Sequence, residues 1–259
     1  MNVVVQAIIL SSQTLGEKDV RLELLSAERG RLAAVAKGGR KSLKRFVNTL
    51  EPFSLIQAHL RGGKVNLPPF LDQADLLNPF ENLRFEPLTF AKAAYLSELV
   101  ECFFKVGTGQ AFFSFFEESL YVLNKGLDFW PLLKISFELS LLKASGFFPY
   151  LGESCLRCEK PLKRDVFFSF TEGGVVCENC AFEEDFALDL KLLAFLNHIA
   201  HVSPMRLRII KPGAENLKRA ERLIENFVLR VLNQEINSLR VLKEMFNNKS
   251  LANSHGGRP

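Results

Sequence analysis

The sequence lacks the short motifs that mark common nucleotide-hydrolysing and bond-cleaving enzymes. It contains no G-x4-G-K-[ST] phosphate loop, no H-E-x-x-H metal motif and no G-x-S-x-G nucleophile motif. Glu17 and Asp19 form an acidic pair near the first turn, but this region offers too few further ligands for a two-carboxylate metal site. The sequence therefore predicts a protein without a bond-breaking site.

Long apolar runs are also missing. No stretch approaches the roughly 20 apolar residues that a membrane-spanning helix needs. Residues 3–10 are apolar, but this segment is short, follows no basic residue and predicts a strand rather than a signal peptide. We therefore expect a cytoplasmic protein that makes no membrane contact. Its 259 residues, 47% of them hydrophobic, are enough for one large or two small domains.

Cysteine is scarce, and four of the five cysteines form two pairs. Cys155 and Cys158 make one C-x2-C pair, and Cys177 and Cys180 make a second pair after eighteen intervening residues. This spacing is typical of a four-thiolate zinc site, in which the closed shell makes the ion structural rather than catalytic. The alternative is two unligated or redox-active pairs. We predict one structural Zn²⁺ per chain, bound by all four thiolates.

The fifth cysteine, Cys102, lies in a helical apolar pattern and is expected to be a buried small side chain. Paired C-x2-C motifs with a single cysteine left over indicate a reducing compartment and a metal rather than a disulfide framework. This agrees with a cytoplasmic location.

The positive charge is unevenly distributed. The net charge is +4, and residues 1–80 hold eleven basic and seven acidic residues. The rest of the chain carries 22 residues of each sign, so the whole surplus lies in the first third. Such an asymmetry predicts a polyanion as the partner of this part of the chain.

Residues 29–50 contain seven basic residues and no acidic one. Strand parity places Arg31 and Lys37 on one face, and Gly38-Gly39 then leads into a basic loop. The two glycines would let the backbone approach a ligand, and the cations would neutralise phosphates. Alone, such a run is most simply a solvated loop, but on a small barrel it predicts nucleic-acid binding. The predicted phosphate contacts are Arg31, Lys37, Arg40, Lys41, Lys44 and Arg45. Phe46 is expected in the core rather than stacked on a base.

The pattern of strands predicts a small barrel in the first eighty residues. Five apolar or alternating segments, bounded by turn residues, are expected to be strands at residues 3–11, 20–26, 31–37, 52–60 and 65–74. Pro68-Pro69 would confine the fifth strand to an edge or a bulge. The favoured architecture is the five-stranded oligonucleotide-binding (OB) barrel.

The remaining chain is predicted to be a helical domain over residues 81–247, followed by a flexible tail at 248–259. Helical periodicity predicts helices at residues 88–106, 111–123, 132–144, 188–200 and 214–246. Residues 153–183 form an inserted zinc module. Within it, residues 166–170 and 175–176 predict a hairpin that returns Cys177 and Cys180 to the first cysteine pair. The fold class is therefore α+β with more than one domain.

These features together resemble the RecO family of bacterial recombination mediators over nearly the full chain. The similar segments are Gly16-Glu17-Lys18-Asp19, Gly30-Arg31-Leu32 to Lys37-Gly38, Leu50-Glu51-Pro52-Phe53, and Gly146 to Leu151 just before Cys155. Gly173-Gly174 before Cys177 completes the set. The order of the cysteine pairs after a basic barrel and a helical segment makes the resemblance specific.

The resemblance implies a DNA repair and recombination protein with an OB barrel and a helical domain that carries zinc. It implies binding of single- and double-stranded DNA, annealing of complementary strands, and loading of the RecA recombinase onto strands coated by single-stranded DNA-binding protein. The implied partners are RecR and the C-terminal tail of that coating protein, with RecA as an indirect partner, in the bacterial cytoplasm at the nucleoid.

Two other functions remain open from the sequence. One is a zinc-containing protein–protein adaptor whose barrel is a passive scaffold, and the other is a nucleic-acid enzyme with an unrecognised site. Salt-dependent DNA binding by residues 1–80 alone would separate mediator from adaptor. Metal-dependent strand cleavage would favour an enzyme.

Overall fold

The computed structural model describes residues 2–42, 44–62 and 67–255. The chain divides into two compact units, one formed by Met1–Gly126 with Ile236–Pro259 and one formed by Leu127–Glu235. Among the described residues, no helix is both long enough and apolar enough to cross a bilayer.

The first unit begins with a closed five-stranded barrel. Its strands, in chain order, are β1 Asn2–Leu15, β2 Asp19–Ser26, β3 Gly30–Ala36, β4 Leu55–Arg61 and β5 Phe70–Asn78. They pair in the order β1-β2-β3-β5-β4. All neighbours are antiparallel except β3 and β5, which meet in parallel where Val35 pairs with Phe70. The predicted OB-type barrel is confirmed.

The barrel core follows the two-residue period of its strands, since alternate side chains point to one face. It mixes small and branched side chains, which suits the tight interior of a small barrel. The core includes Val5, Ala7, Ile9, Leu22, Leu24, Leu32, Ala34, Ala36, Ala58 and Leu60. Phe46 is 5% exposed and belongs to the same cluster, as the sequence predicted.

The fifth strand differs from its prediction. It was expected over residues 65–74, but β5 runs from Phe70 to Asn78, directly after the two prolines, and residues 65–66 lie outside the described part. Proline cannot donate a backbone hydrogen bond, so it is favoured just before a strand rather than within one. Pro69 instead accepts a bond from the backbone N–H of Val35 at 3.0 Å, which helps to close the barrel.

Helices complete the first unit. They are α1 Asn82–Phe85, α2 Pro87–Phe103, α3 Phe113–Asn124 and, at the other end of the sequence, a helix at Asn237–His255. The carboxylate of Glu98 in α2 accepts hydrogen bonds from the backbone N–H groups of Asn237 and Ser238 at 3.0 and 2.7 Å. This satisfies amide groups that have no partner within a helix at its N-terminus.

The second unit combines helices with a small sheet. Its helices are α4 Trp130–Ser145, α5 Leu190–Ile199 and α6 Ala214–Leu232, and the final helix of the chain is accordingly α7. Its strands, β6 Asp165–Ser169, β7 Gly174–Cys177 and β8 Phe186–Asp189, form a sheet in the order β7-β6-β8. The predicted hairpin is confirmed as β6 and β7, whereas β8 was not predicted.

The last predicted helix, residues 214–246, is wrong as a single element. It divides into α6 and α7 at Asn233, which adopts a left-handed conformation with φ of 48°. Asparagine tolerates this conformation better than most side chains, and a residue of this kind ends a helix. α7 continues to His255, beyond residue 248 where the sequence predicted a tail, and residues 256–259 lie outside the described part.

Candidate nucleic-acid interface and metal centre

The basic loop after β3 is built on a sharp, anchored turn. Gly38 has φ of 63°, a left-handed conformation that glycine adopts without strain. Its backbone N–H donates to Asp19 Oδ1 at 2.8 Å, and the backbone N–H of Arg40 donates to the carbonyl of Lys18 at 3.1 Å. The turn between β1 and β2 therefore holds the start of the loop.

The far end of the loop is also fixed. Arg45 Nη2 donates to the carbonyl of Lys37 at 2.6 Å, and the Arg45 carbonyl accepts from the backbone N–H of Ala74 at 3.2 Å. The next side chain, Phe46, inserts into the barrel core. The segment between Lys37 and Phe46 is thus pinned at both ends, although Leu43 lies outside the described part.

Gly39 serves the fold, which corrects the prediction for this glycine that it opens the backbone to a ligand. Gly39 is buried, and a Cβ there would lie 2.9 Å from Leu50 Cδ1 and 3.1 Å from Ala36 Cβ. Because those neighbours belong to the packed barrel, glycine at 39 makes room for protein rather than for a phosphate. Gly38 supplies the turn described above.

Five of the six predicted phosphate contacts lie exposed on this loop. These are Lys37, Arg40, Lys41, Lys44 and Arg45, which we call the basic loop cations. None of them forms an ion pair within the described residues. Lys37 Nζ lies 4.6 Å from the centre of the Phe70 ring, and Arg45 lies 4.9 Å from that of Phe46. Five charges without carboxylate partners form a surface that attracts anions.

Arg31, the sixth predicted contact, has a different environment. Its Nη2 lies 3.0 Å from Glu23 Oε2, its Nη1 donates to the carbonyl of Phe104 at 3.2 Å, and its side chain is 21% exposed. Glu23 itself is 9% exposed and also pairs with Arg21. The charge of Arg31 is therefore matched inside the protein, and we do not carry it into the proposed interface.

The four predicted metal ligands come together in the second unit. Their sulfur atoms all lie within 4.8 Å of one another. Cys158 Sγ and Cys177 Sγ are 3.8 Å apart, far beyond a disulfide bond, which is about 2.05 Å. Four sulfurs placed tetrahedrally at about 2.3 Å from one ion would be about 3.8 Å apart. The group could therefore hold a metal ion.

Backbone contacts bring the two cysteine pairs together. Cys177 ends β7 and Cys180 closes a short 3-10 helix at Glu178–Cys180. The backbone N–H of Leu156 donates to the carbonyl of Val175 in β7 at 2.9 Å, which places the first pair beside this strand. The expected hairpin thus returns the second pair to the first.

The surroundings of the sulfurs shift the pKa values of two of the thiols in opposite directions. Burial raises the pKa of the Cys155 thiol, but backbone N–H groups of Cys177, Cys158 and Arg157 donate to its sulfur and bring that pKa down to about 6. Hydrogen bonds with Cys158 and Cys177 raise the pKa of Cys180 to about 12. The thiolate is the form that binds metal, and a bound cation deprotonates a coordinating thiol.

Arg157 supports this centre and was not identified from the sequence. Its guanidinium donates to Glu172 and to Asp185, each at 3.1 Å, and to the carbonyl of Cys180. It also lies 4.0 Å from the centre of the Phe182 ring. Since Arg157 stands inside the first C-x2-C pair and contacts the second, it links both. Its position between two cysteines was the only signal available.

Comparison with known proteins identifies the family. Residues 1–80 match the family described as "Recombination protein O N terminal", and residues 84–240 match "Recombination protein O C terminal". The chain belongs to the RecO family. The DNA repair protein RecO of Caldanaerobacter subterraneus subsp. tengcongensis is 30% identical over 238 residues, which cover 90% of this chain and 94% of that protein.

Two further RecO relatives agree with this assignment. The DNA repair protein RecO of Syntrophus aciditrophicus is 26% identical over 93% of this chain and 95% of its own length. That of Anaeromyxobacter sp. (strain K) is 35% identical over 67% of this chain and 68% of its own length. Membership of this family makes the chain a DNA repair protein.

Proposed function

We propose that this protein is a non-catalytic recombination mediator that binds DNA through the basic loop cations and anneals complementary strands. It helps to load RecA onto single strands coated by single-stranded DNA-binding protein, in the bacterial cytoplasm. Residues 1–80 form the DNA-binding domain. The observation that carries the proposal is a set of five exposed cations without carboxylate partners, on a loop that Asp19 and Phe46 hold at its two ends.

Annealing fits this surface because the reaction breaks no covalent bond. Two phosphate backbones repel each other, and a protein that neutralises phosphates lowers this repulsion while the base edges stay free to pair. Five phosphate contacts would give a slope of about −3.5 for log affinity against log salt on single strands. Binding should then weaken roughly 100-fold between 50 and 200 mM salt.

The metal in the proposed function is Zn²⁺, bound by Cys155, Cys158, Cys177 and Cys180. Four thiolates suit zinc and leave no open position, so the ion supports the fold of residues 153–183 and supplies no reactive water. The chemistry that it provides is the crosslink between the two cysteine pairs. The proposed protein partners are RecR and the acidic tail of the coating protein, while RecA acts downstream.

The decisive experiment is an annealing assay on complementary strands coated by single-stranded DNA-binding protein. It compares the full-length protein with a basic-loop variant in which Lys37, Arg40, Lys41, Lys44 and Arg45 are replaced by alanine. A control variant removes five exposed cations elsewhere, namely Lys143, Lys160, Lys163, Arg164 and Lys191. Both variants lose the same charge, so a difference between them reports on position.

We expect the basic-loop variant to lose annealing, and its binding to single strands to lose most of its dependence on salt concentration. The control variant should keep both. Equal activity of the basic-loop variant and the wild type would overturn the proposed interface and favour a protein–protein adaptor with a passive barrel. Cleavage of either strand by metal-loaded protein would overturn the non-catalytic assignment.

A further inference from the structure

One aromatic side chain on the barrel contacts two cations, and one of these belongs to the basic loop. Phe70 begins β5, and its backbone pairs with Arg61 in β4 and with Val35 in β3. The centre of its ring lies 4.6 Å from Lys37 Nζ and 5.8 Å from Arg61 Cζ. Since Lys37 is one of the basic loop cations, this ring adjoins the proposed DNA-binding surface.

The alternation of the strands explains why this ring lies on the outside of the barrel. The next residue, Leu71, is 1% exposed and belongs to the barrel core, as does Leu60, which precedes Arg61. Because successive side chains point to opposite faces of a strand, Phe70 and Arg61 point outward. Phe70 is half-buried there, and Lys37 is exposed. The ring therefore keeps part of its surface open to a ligand.

Accessibility distinguishes Phe70 from the other ring beside the basic loop cations in the described part of the chain. Arg45 lies 4.9 Å from the centre of the Phe46 ring, but Phe46 is 5% exposed and packs in the barrel core. Phe70 instead combines an accessible ring with a neighbouring cation. Proteins that bind single strands without sequence preference use this combination, in which cations meet the phosphates and aromatic rings stack on the bases.

The two cations beside the ring have different charge environments. Arg61 Nε pairs with Asp72 Oδ2 at 2.8 Å, whereas Lys37 has no carboxylate partner among the described residues. The Lys37 ammonium is carried on a flexible side chain, and an exposed cation–π contact contributes less than a base stacked on an aromatic ring. A phosphate can therefore draw Lys37 away from Phe70 while a base takes its place at the ring.

We propose that Phe70 stacks on an unpaired nucleobase of the strand whose phosphates the basic loop cations bind. This inference rests on the proposed DNA-binding function. Stacking engages the face of a base and leaves its pairing edge free, so a strand held in this way can still anneal. In a duplex the neighbouring bases cover these faces, and Phe70 finds no partner. The contact therefore makes the barrel prefer single strands and weakens its hold on the annealed product.

Binding of three labelled DNAs of equal length to full-length, zinc-loaded protein tests this proposal. The DNAs are an ordinary single strand, an abasic strand with the same sugar–phosphate backbone, and a duplex. Affinity is measured by fluorescence anisotropy at about 0.15 M salt. The test variant is Phe70→Leu, which keeps an apolar side chain but removes the ring. The matched control is Phe85→Ala, which removes a ring that is 78% exposed in α1.

We expect Phe70→Leu to bind the ordinary single strand roughly fivefold to 100-fold more weakly than the wild type, because one base loses its stacking partner. Its affinity for the abasic strand and for the duplex should equal that of the wild type, since those complexes depend on phosphate contacts alone. Phe85→Ala should bind all three DNAs like the wild type.

Tryptophan fluorescence gives a second, independent measurement. The chain has a single tryptophan, Trp130, so combining Trp130→Phe with Phe70→Trp places the only indole of the protein at the proposed stacking position. The ordinary single strand should quench its emission, whereas the abasic strand should not. Because this variant keeps an aromatic ring at position 70, the measurement decides the question even where Phe70→Leu impairs folding.

Three results would overturn the inference. Wild-type affinity of Phe70→Leu for the ordinary single strand would mean that no base contacts the ring. Equal losses on all three DNAs would mean that Phe70 only positions Lys37. Equal quenching by the ordinary and abasic strands would mean that the backbone, not a base, approaches position 70. The proposed function fails separately, if the basic-loop variant still binds the abasic strand and the duplex at wild-type affinity.

Discussion

The carboxylate of Asp19 accepts a hydrogen bond from the backbone N–H of Gly38 at 2.8 Å, which joins the start of β2 to the start of the basic loop. The contact places a negative charge beneath a segment rich in positive ones. Two opposite effects on DNA binding follow from it. The charge of Asp19 weakens attraction to phosphate, whereas its hydrogen bond holds the loop in a fixed conformation.

Replacing Asp19 by alanine separates these effects. If loop order dominates, Asp19→Ala should lower DNA affinity roughly threefold to tenfold, since about 1.4 kcal/mol corresponds to tenfold. The barrel should lose about 1–2 kcal/mol because the Gly38 N–H loses a charged acceptor. The matched control is Glu17→Ala, an exposed acid two residues earlier, which should raise affinity slightly. Affinity is measured by fluorescence anisotropy; a rise in both variants would show that charge alone governs binding.

Arg31 and Lys41 should respond differently to replacement by alanine. Arg31→Ala leaves the nearly buried Glu23 with only Arg21, so we expect a loss of about 1–3 kcal/mol in stability. The slope of log affinity against log salt should not change. Lys41→Ala should reduce that slope by about 0.7 on single strands and change stability by less than about 0.5 kcal/mol. DNA titrations at several salt concentrations measure the slope, and urea unfolding measures the stability. A changed slope in Arg31→Ala would show that Arg31 contacts DNA after all.

Local patterns in the sequence were enough to predict much of this structure. The strand alternation around Leu22 and Leu24 and the spacing of Cys155, Cys158, Cys177 and Cys180 each report on neighbouring residues along the chain. These features were therefore visible without knowledge of tertiary contacts. Gly146, two residues after the predicted helix at 132–144, ends α4 in the left-handed conformation that glycine favours.

Contacts between distant segments were not predictable in this way. From its charge alone, Arg31 was predicted to contact phosphate. Its actual partners, the Glu23 carboxylate and the Phe104 carbonyl, are brought beside it only when the chain folds. Asp19 and Gly38 were both noted, but the hydrogen bond between them depends on the register of β2 and β3. The break at Asn233 carries neither proline nor glycine, so the helical periodicity predicted one continuous helix across it.

Removing one metal ligand should release the ion. Cys155→Ser is expected to abolish stoichiometric zinc and to unfold residues 153–183, because metal binding supplies folding free energy to small modules of this kind. Elemental analysis and thermal denaturation measure the two effects. Cys102→Ser is the control, since Cys102 lies in α2, outside the four-sulfur cluster. The Cys102→Ser protein should keep one zinc ion per chain. Zinc near one equivalent in Cys155→Ser would contradict the assignment.

The buried charge cluster of α4 and α6 should be sensitive to the loss of its cation. Lys134 Nζ lies 2.8 Å from Glu138 Oε1 and 3.0 Å from Glu225 Oε2, and the side chains of Lys134 and Glu138 are 2% and 0% exposed. Burial lowers the pKa of Lys134, but the two carboxylates outweigh this and hold the pKa above its usual value. Lys134→Met strands a buried carboxylate and should cost about 3–5 kcal/mol.

Fluorescence of Trp130 provides the measurement for this cluster. It is the single tryptophan of the chain, and it is buried at the start of α4. Lys143→Met, at an exposed position of the same helix, should change stability by less than about 0.5 kcal/mol. Adding Glu138→Leu to Lys134→Met should recover part of the loss, because no fully buried charge then lacks its partner. A loss below about 1 kcal/mol in Lys134→Met would contradict the importance of this cluster.

The cap of α5 should make stability depend on pH. The Leu192 backbone N–H donates to Asp189 Oδ1 at 2.8 Å and lowers the pKa of Asp189, and Arg219 lowers it further against the effect of burial. A carboxyl with a lowered folded-state pKa stabilises the fold above its unfolded pKa of about 3.9 and loses this contribution as pH falls through the folded value. Asp189→Ala should therefore cost about 1 kcal/mol at pH 7.

Asp189→Asn distinguishes the cap from the charge. Asparagine caps helices about as well as aspartate but does not titrate, so this variant should keep most of the stability at pH 7 without the change in acid. Urea unfolding between pH 7 and pH 3 measures the difference between each variant and the wild type. The deficit of Asp189→Ala should stay constant down to about pH 4 and then shrink, since the carboxyl of the unfolded wild type takes up a proton first and the folded one follows at lower pH. A deficit that grows on acidification would mean that the neutral acid, not the carboxylate, caps α5.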